Sequence, residues 1–297
     1  MRTPTAGGLI YLKLVLTTLI WGATFPIGRY AAKAGAPLAV AEWRFALAAA
    51  VLMALLARRE RLLRPKGAAG RLALALGFSG VFAYNICFFL GLERVPASRA
   101  ALIVALNPVL VALAAAAVYG QRLSLVRWGG VAVSLFGAAL VISRGELNEL
   151  VSHVGAGELI VFGSSLAWSA YTLLGRNAAE HFSPLASTTW AALAGALMLL
   201  PPALWEGRLL ATLTLGPAMW LALLHLGLLA TVVAFLWYAE GVKAIGPTRT
   251  VVFTNLVPVF AVLIGVLLFG EELLWSMVIG GALVSLGVWL TNRPALR

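Results

Sequence analysis

"WGATFPIGRYAAKAGAPL", residues 21–38, returns as "WSAYTLLGRNAAEHFSPL" at residues 168–185. Aligned without gaps, residues 21–50 and 168–197 share eleven identities in thirty. Alanine inflates that count. Trp21 with Trp168, Gly28 with Gly175, Arg29 with Arg176, Pro37 with Pro184 and Trp43 with Trp190 are matches of rarer residues. A second block, 91–140 against 241–290, agrees at twelve of fifty positions at an offset of 150, including Gly91 with Gly241, Arg99 with Arg249, Pro108 with Pro258, Gly120 with Gly270, Gly130 with Gly280 and Gly137 with Gly287. The change of offset is small enough for a loop to absorb. The chain therefore reads as two copies of one unit, residues 1–147 and 148–297.

The solvent of that unit follows from composition. Of the 297 residues, 62% are hydrophobic and 11% charged, whereas ordinary globular domains carry roughly a quarter charged residues. Apolar runs of about twenty residues, the length that crosses a bilayer as a helix, succeed one another at about 9–31, 37–57, 71–90, 98–119, 126–143, 157–177, 185–205, 217–239, 247–269 and 274–292. Each is continuously apolar, which suits helices and not the alternating strands of a membrane barrel. The expectation is an all-α integral membrane protein of ten transmembrane helices in two five-helix repeats. Five is odd, so the second copy enters the membrane from the opposite face, and inverted repeats of this kind are a transporter's architecture.

The net charge of +11 invites a nucleic-acid reading, but its placement explains it otherwise. With the N-terminus inside, fifteen Lys and Arg fall on the inner side and six on the outer side, with Arg44 inside a span. That asymmetry is the positive-inside bias and predicts both termini in the cytoplasm. Nucleic acid is not an expected partner, and the first apolar run belongs to the repeat, so it is read as a span and not as a cleaved leader. Cys87 is the single cysteine, aspartate is absent, and His153, His181 and His225 are far apart. A disulfide is thereby excluded, and neither a metal site nor a cofactor is expected. An enzyme is not expected either, because a membrane-embedded lipid-modifying enzyme needs an acid, base or metal cluster that the chain does not offer.

The early "WGATF", "RF" at Arg44 and Phe45, "NPVLVALAAAAVYGQRL" with its partner "VPVFAVLIGVLLFGEEL", and the Gly-rich fifth and tenth spans resemble the EamA-type, ten-helix branch of the drug/metabolite transporter superfamily. The resemblance covers nearly the whole chain. It implies a transporter, in particular an exporter of amino acids (aromatic and other apolar ones) or related metabolites in a bacterial inner membrane, with export of drugs or cationic compounds as the near alternative. One departure stands out. The Gly-Glu that such chains carry after the fourth span is Gly120-Gln121 here, while Gly270-Glu271 keeps it.

The candidate substrate-binding residues are Trp21, Thr24, Tyr84, Asn85, Asn107, Trp168, Tyr171, His225, Trp237, Tyr238 and Asn255, on spans one, three, four, six, eight and nine. Trp21 and Trp168 lie at mid-depth, away from the interfacial belts where Trp usually sits; they read either as helix packing or as the wall of a cavity. Pro26, Pro108 and Pro258 are candidate helix breaks. Pro108 and Pro258 should free the carbonyls of Val104 and Thr254, with Asn107 and Asn255 beside them. His225 is the one internal titrating candidate, with an ordinary pKa of about 6.5, and its competing reading is a hydrogen bond to a neighbouring helix. Arg29, Arg99, Arg176 and Arg249 read as snorkelling cations at span ends, Glu42 and Arg44 as an architectural ion pair, and the paired glycines of spans five and ten as a close helix contact. A small-molecule substrate and the lipid bilayer are the expected partners, and a monomer is the expected state.

Overall fold

The computed structural model describes residues 4–60, 64–119, 124–146, 154–178, 180–245 and 253–291. His153, Gly120, Gln121, Arg249, the start of the ninth span and the Arg176 side chain lie outside the described residues. Among those described, no strand occurs and the chain runs helix after helix. We number them α1 (Pro4–Ala34), α2 (Pro37–Arg59), α3 (Gly67–Arg94), α4 (Ala97–Val104 and Asn107–Tyr119), α5 (Leu125–Ile142), α6 (Ala156–Ala178), α7 (Pro184–Trp205), α8 (Pro217–Ile245), α9 (Leu256–Phe269) and α10 (Trp275–Thr291). Six are long and apolar enough to cross a membrane by length and composition: Gly8–Ala34, Pro37–Arg59, Gly67–Arg94, Ala97–Val118, Pro184–Trp205 and Pro217–Tyr238. Leu125–Val141, Phe253–Phe269 and Trp275–Thr291 are shorter apolar helices.

Local chemistry sets the helix ends. Helices α2, α7 and α8 open on Pro37, Pro184 and Pro217, where a missing N–H costs nothing. The Ser183 hydroxyl caps α7 by accepting from the Ala186 N–H at 3.0 Å. Gly270, at φ 65°, closes α9 in the left-handed region, which glycine tolerates and most residues do not. Two N-termini are capped from a distance. The Glu206 carboxylate, just beyond α7, accepts from the Leu38 and Ala39 N–H groups at 3.2 and 2.8 Å. The Glu271 carboxylate, just beyond α9, accepts from Ala97 and Ser98 at 2.7 and 2.9 Å. An anion there satisfies the open amides and meets the positive end of the helix dipole.

The most extensive helix contacts pair α5 with α10, α3 with α6, α1 with α8 and α3 with α7, followed by α2 with α7 and α1 with α9. In the α5–α10 pair a methyl group on Gly137 would stand 2.7 Å from the Gly280 carbonyl, and one on Gly130 would stand 2.7 Å from the Gly287 carbonyl. The glycines thus let the two backbones touch, the close contact expected of them, and the buried Ser134 hydroxyl bridges the pair by donating to the Val284 carbonyl at 3.2 Å.

Two helices depart from α geometry inside the bundle. Gly77–Ala83 in α3 and His225–Val233 in α8 are π-helical, a wider winding frequently found at functional sites. The expected proline breaks are also displaced. Helix α4 leaves α geometry at Ala105 and Leu106 and resumes at Asn107, so Pro108 occupies the first turn of a new segment, where no amide is missed. Pro258 likewise lies in the first turn of α9, after the 3-10 turn Phe253–Asn255, and Thr254 has a partner. Pro26 does lie within a continuous helix.

Candidate functional site

Helices α1, α3, α6 and α8 meet around a chain of aromatic rings. Trp21 of α1 lies edge-on to Phe235 of α8 at 5.5 Å between centroids and 5.3 Å from Tyr238. Trp168 of α6 lies edge-on to the same Phe235 at 6.3 Å, and stands 5.4 Å from Tyr84 and 5.2 Å from Tyr171. Tyr84 stacks on Phe88, which meets Phe25 edge-on at 5.2 Å. Phe235, which the sequence reading passed over, thus joins the two tryptophans. Both are half-buried, whereas Trp128, Trp205 and Trp275 stand exposed near helix ends, as interfacial belt residues do.

The π-helical segments supply the polar side of this region. The Trp21 indole N–H donates to the Ala230 carbonyl of the α8 segment at 3.0 Å. The α3 segment passes so close to α6 that only a glycine at Gly80 leaves room for the Tyr171 ring. His225 Nε2 is 3.2 Å from the Ile20 carbonyl of α1, the oxygen that also accepts from the Thr24 hydroxyl at 3.0 Å. The expectation of a hydrogen bond from His225 to a neighbouring helix is met.

Arg44 of α2 enters the same region, where the sequence reading expected an ion pair with Glu42. No such pair forms. Arg44 is 5% exposed, donates from Nε to the Thr231 hydroxyl at 3.1 Å and from Nη1 to the Asn85 side-chain carbonyl at 3.2 Å, and lies over the Phe45 ring at 5.1 Å. Glu42 Oε2 is buried without a partner. Residues two apart on a helix face different ways, which is the reason the pair fails. Asn85 and Thr231 are themselves held by the π segments: Asn85 Nδ2 donates to the Val81 carbonyl at 2.7 Å and the Thr231 hydroxyl to the Leu226 carbonyl at 2.8 Å. Arg44 was absent from the candidates although a lone cation within a span was visible in the sequence. The π geometry that orients its partners has no sequence signal.

Thus the structure brings Trp21, Thr24, Tyr84, Asn85, Trp168, Tyr171, His225 and Tyr238 into one region. No ring contact or hydrogen bond among the described residues links Asn107, Trp237 or Asn255 to it; Asn107 Oδ1 is buried and without a partner. Arg99 is a second correction, because it does not snorkel. It is buried on α4 and donates from Nη1 to Glu158 of α6 at 2.7 Å. Arg29, beyond Pro26, lies 3.5 Å from Glu271. Both line a cavity of about 370 Å³ with Pro26, Tyr30, Lys33, Ala34 and Phe269, at the C-terminal ends of α1 and α9. Among the described residues no group of His, Cys, Asp and Glu is placed to hold a metal.

The sequence matches the EamA-like transporter family twice, over residues 8–143 and 155–293. It is 31% identical to the uncharacterized transporter YyaM of Bacillus subtilis over 97% of this chain and 94% of that one. It is 27% identical to a protein of Streptantibioticus cattleyicolor named probable terminal-alkyne amino-acid exporter, over 95% and 93% of the two chains. With the S-adenosylmethionine/S-adenosylhomocysteine transporter of Chlamydia trachomatis it shares 29% identity over 87% and 81%. A protein of known crystal structure has the same fold, with a TM-score of 0.63 at 23% identity over 95% of this chain and 96% of that one.

Proposed function

Because the chain belongs to the EamA-like transporter family, we propose that it exports amino acids with aromatic or other apolar side chains, or closely related metabolites, across a bacterial-type inner membrane. It works as a monomer with both termini in the cytoplasm. The observation that carries this reading is the ring chain from Tyr238 through Trp21, Phe235 and Trp168 to Tyr84 and Tyr171. A continuous aromatic surface between four helices, edged by Asn85, Thr231 and His225, suits a solute with one apolar end and one polar end. The relatives named for amino-acid and S-adenosylmethionine transport support a substrate of that size and character.

Alternating access is supported by the pairing of the helices. Adding five to each helix number turns α1–α9 into α6–α4 and α3–α7 into α8–α2, and leaves α5–α10 and α2–α7 as they are; each of these pairs is in contact. The two π segments begin 148 residues apart, at Gly77 and His225, near the repeat offsets of 147 and 150. Two like units that pack in two ways around one site open it alternately to either side. The test is uptake of radiolabelled amino acids, sugars and quaternary amines by proteoliposomes holding the purified chain. Flux of phenylalanine, tryptophan or leucine above that of sugars and amines is expected, and flux confined to quaternary amines refutes the reading.

A further inference from the structure

Arg44 is a buried cation with two of its five N–H donors engaged and, among the described residues, no counter-ion. A guanidinium carries five N–H donors, and two of its three nitrogens are bound, both to neutral oxygens. Among the described residues, no carboxylate lies within 4.0 Å of it; the three ion pairs there join Lys13 with Glu240, Arg29 with Glu271 and Arg99 with Glu158. An uncompensated charge in a low-dielectric interior is costly, and an ionised side chain inside a membrane span ordinarily marks a substrate path.

The surroundings argue that this charge is held ready and is not simply a structural tie. Asn85 donates from Nδ2 to a π-helical carbonyl and turns Oδ1 toward the guanidinium, and the Thr231 hydroxyl donates its proton to a π-helical carbonyl while its oxygen accepts from Arg44 Nε. Their orientation is therefore set before any ligand arrives. The α2 backbone is pressed into the same place, since a methyl group on Gly227 would meet the Arg44 carbonyl at 3.1 Å. Tyr84 follows directly before Asn85 in α3 and stands 5.4 Å from Trp168, which joins the guanidinium to the aromatic surface. The repeat sharpens the point. In the ungapped alignment Arg44 corresponds to Ala191, and the same helix crossing is made there, with Gly77 against the Ala191 carbonyl. The crossing thus forms with alanine, so packing alone does not require arginine.

We propose that Arg44 is the anion-binding residue of the central site and takes the carboxylate of the substrate, whose apolar side chain then lies along Trp168, Tyr84 and Phe235. The proposal rests on the proposed function and adds its substrate class: monocarboxylates bearing an apolar or aromatic group, with the corresponding carboxylate-free amines refused.

The test uses the full chain in proteoliposomes with L-tryptophan and tryptamine, which share the indole and differ by the carboxylate. Wild type is expected to carry L-tryptophan and discriminate against tryptamine. Arg44→Gln, which keeps a donor for Asn85 or Thr231 without the charge, is expected to lose tryptophan flux by roughly 30-fold, the lower end of what removing one side of a desolvated charge pair costs. Its flux of tryptamine should be unchanged or higher. Arg44→Gln moving L-tryptophan at the wild-type rate, or wild type moving the two probes alike, overturns the proposal.

A wild type that carries no amino acid at all refutes the proposed function alone, and binding then decides on Arg44. Indole-3-acetate should raise the unfolding temperature of wild type in detergent where tryptamine does not. The absence of any such difference refutes the anion site. Should Arg44→Gln fail to fold, the two wild-type comparisons decide by themselves.

Discussion

Arg44 and Arg99 are both 5% exposed, yet their charges are handled in opposite ways. Arg99 faces the Glu158 carboxylate at 2.7 Å, and the second oxygen of Glu158 accepts from the Gly155 N–H at 3.2 Å. Removing one side of such a pair leaves a bare buried charge, so Arg99→Ala should destabilise the fold by about 3–5 kcal/mol, read as a lower unfolding temperature in detergent. An unchanged temperature would mean the pair contributes nothing. The two tryptophans differ as well. Trp21 is tied to α8 through the Ala230 carbonyl, whereas no hydrogen bond from the Trp168 indole is found among the described residues. Trp21→Phe should thus cost about 1 kcal/mol of stability, the scale of one hydrogen bond, read as a lower unfolding temperature in detergent. Trp168→Ala should leave folding largely intact and weaken transport by about 1–3 kcal/mol of apolar contact. Full transport by Trp168→Ala would show that its ring only packs helices.

At the level of single elements, the α5–α10 pair offers a sharp contrast between two neighbouring glycines. Gly137 lies against the Gly280 carbonyl and Val284, whereas Gly129 has nothing within 4 Å. Gly137→Leu must push the two helices apart and should abolish recovery of monodisperse protein in size-exclusion chromatography. Gly129→Ala should be stabilising by up to about 1 kcal/mol, because alanine is the better helix former. Equal behaviour of the two variants would remove the crossing from the account. The π segments of α3 and α8 have no comparable rule. They arise where Gly77 and Gly80 meet α7 and α6, and where Gly227 meets α2, so they are products of helix packing more than of local sequence.

For the whole molecule the question is what drives transport. His225 is half-buried and directed at the Ile20 carbonyl of α1, which gives it a role in holding α8 to α1. Glu158 is engaged by Arg99, and Glu206 and Glu271 are engaged by helix N-termini. These groups have structural duties, and the expected behaviour is flux that follows the substrate gradient. Proteoliposomes given a pH gradient and equal substrate on both sides should show no net accumulation. Uphill accumulation that disappears in His225→Ala would make His225 the coupling residue and reverse this expectation.

The membrane solvent, the helical class and the family resemblance were all legible in the sequence, because each depends on properties that accumulate along the chain: apolar length, charge asymmetry and a doubled pattern of Trp, Gly, Arg and Pro. Eight of the eleven candidate site residues also lie together, since aromatic and polar side chains at mid-span have few other places to be. What required the tertiary structure was most of the relations between helices, the glycine contact of α5 with α10 and the bond from His225 to α1 excepted. Phe235 is an ordinary apolar residue until Trp21 and Trp168 approach it from α1 and α6. Arg44 reads as half of an ion pair with Glu42 until Asn85 and Thr231 are brought to it from α3 and α8. A side chain's partners depend on the angles and depths at which helices cross. Those are decided by packing across the bundle, which no single segment encodes.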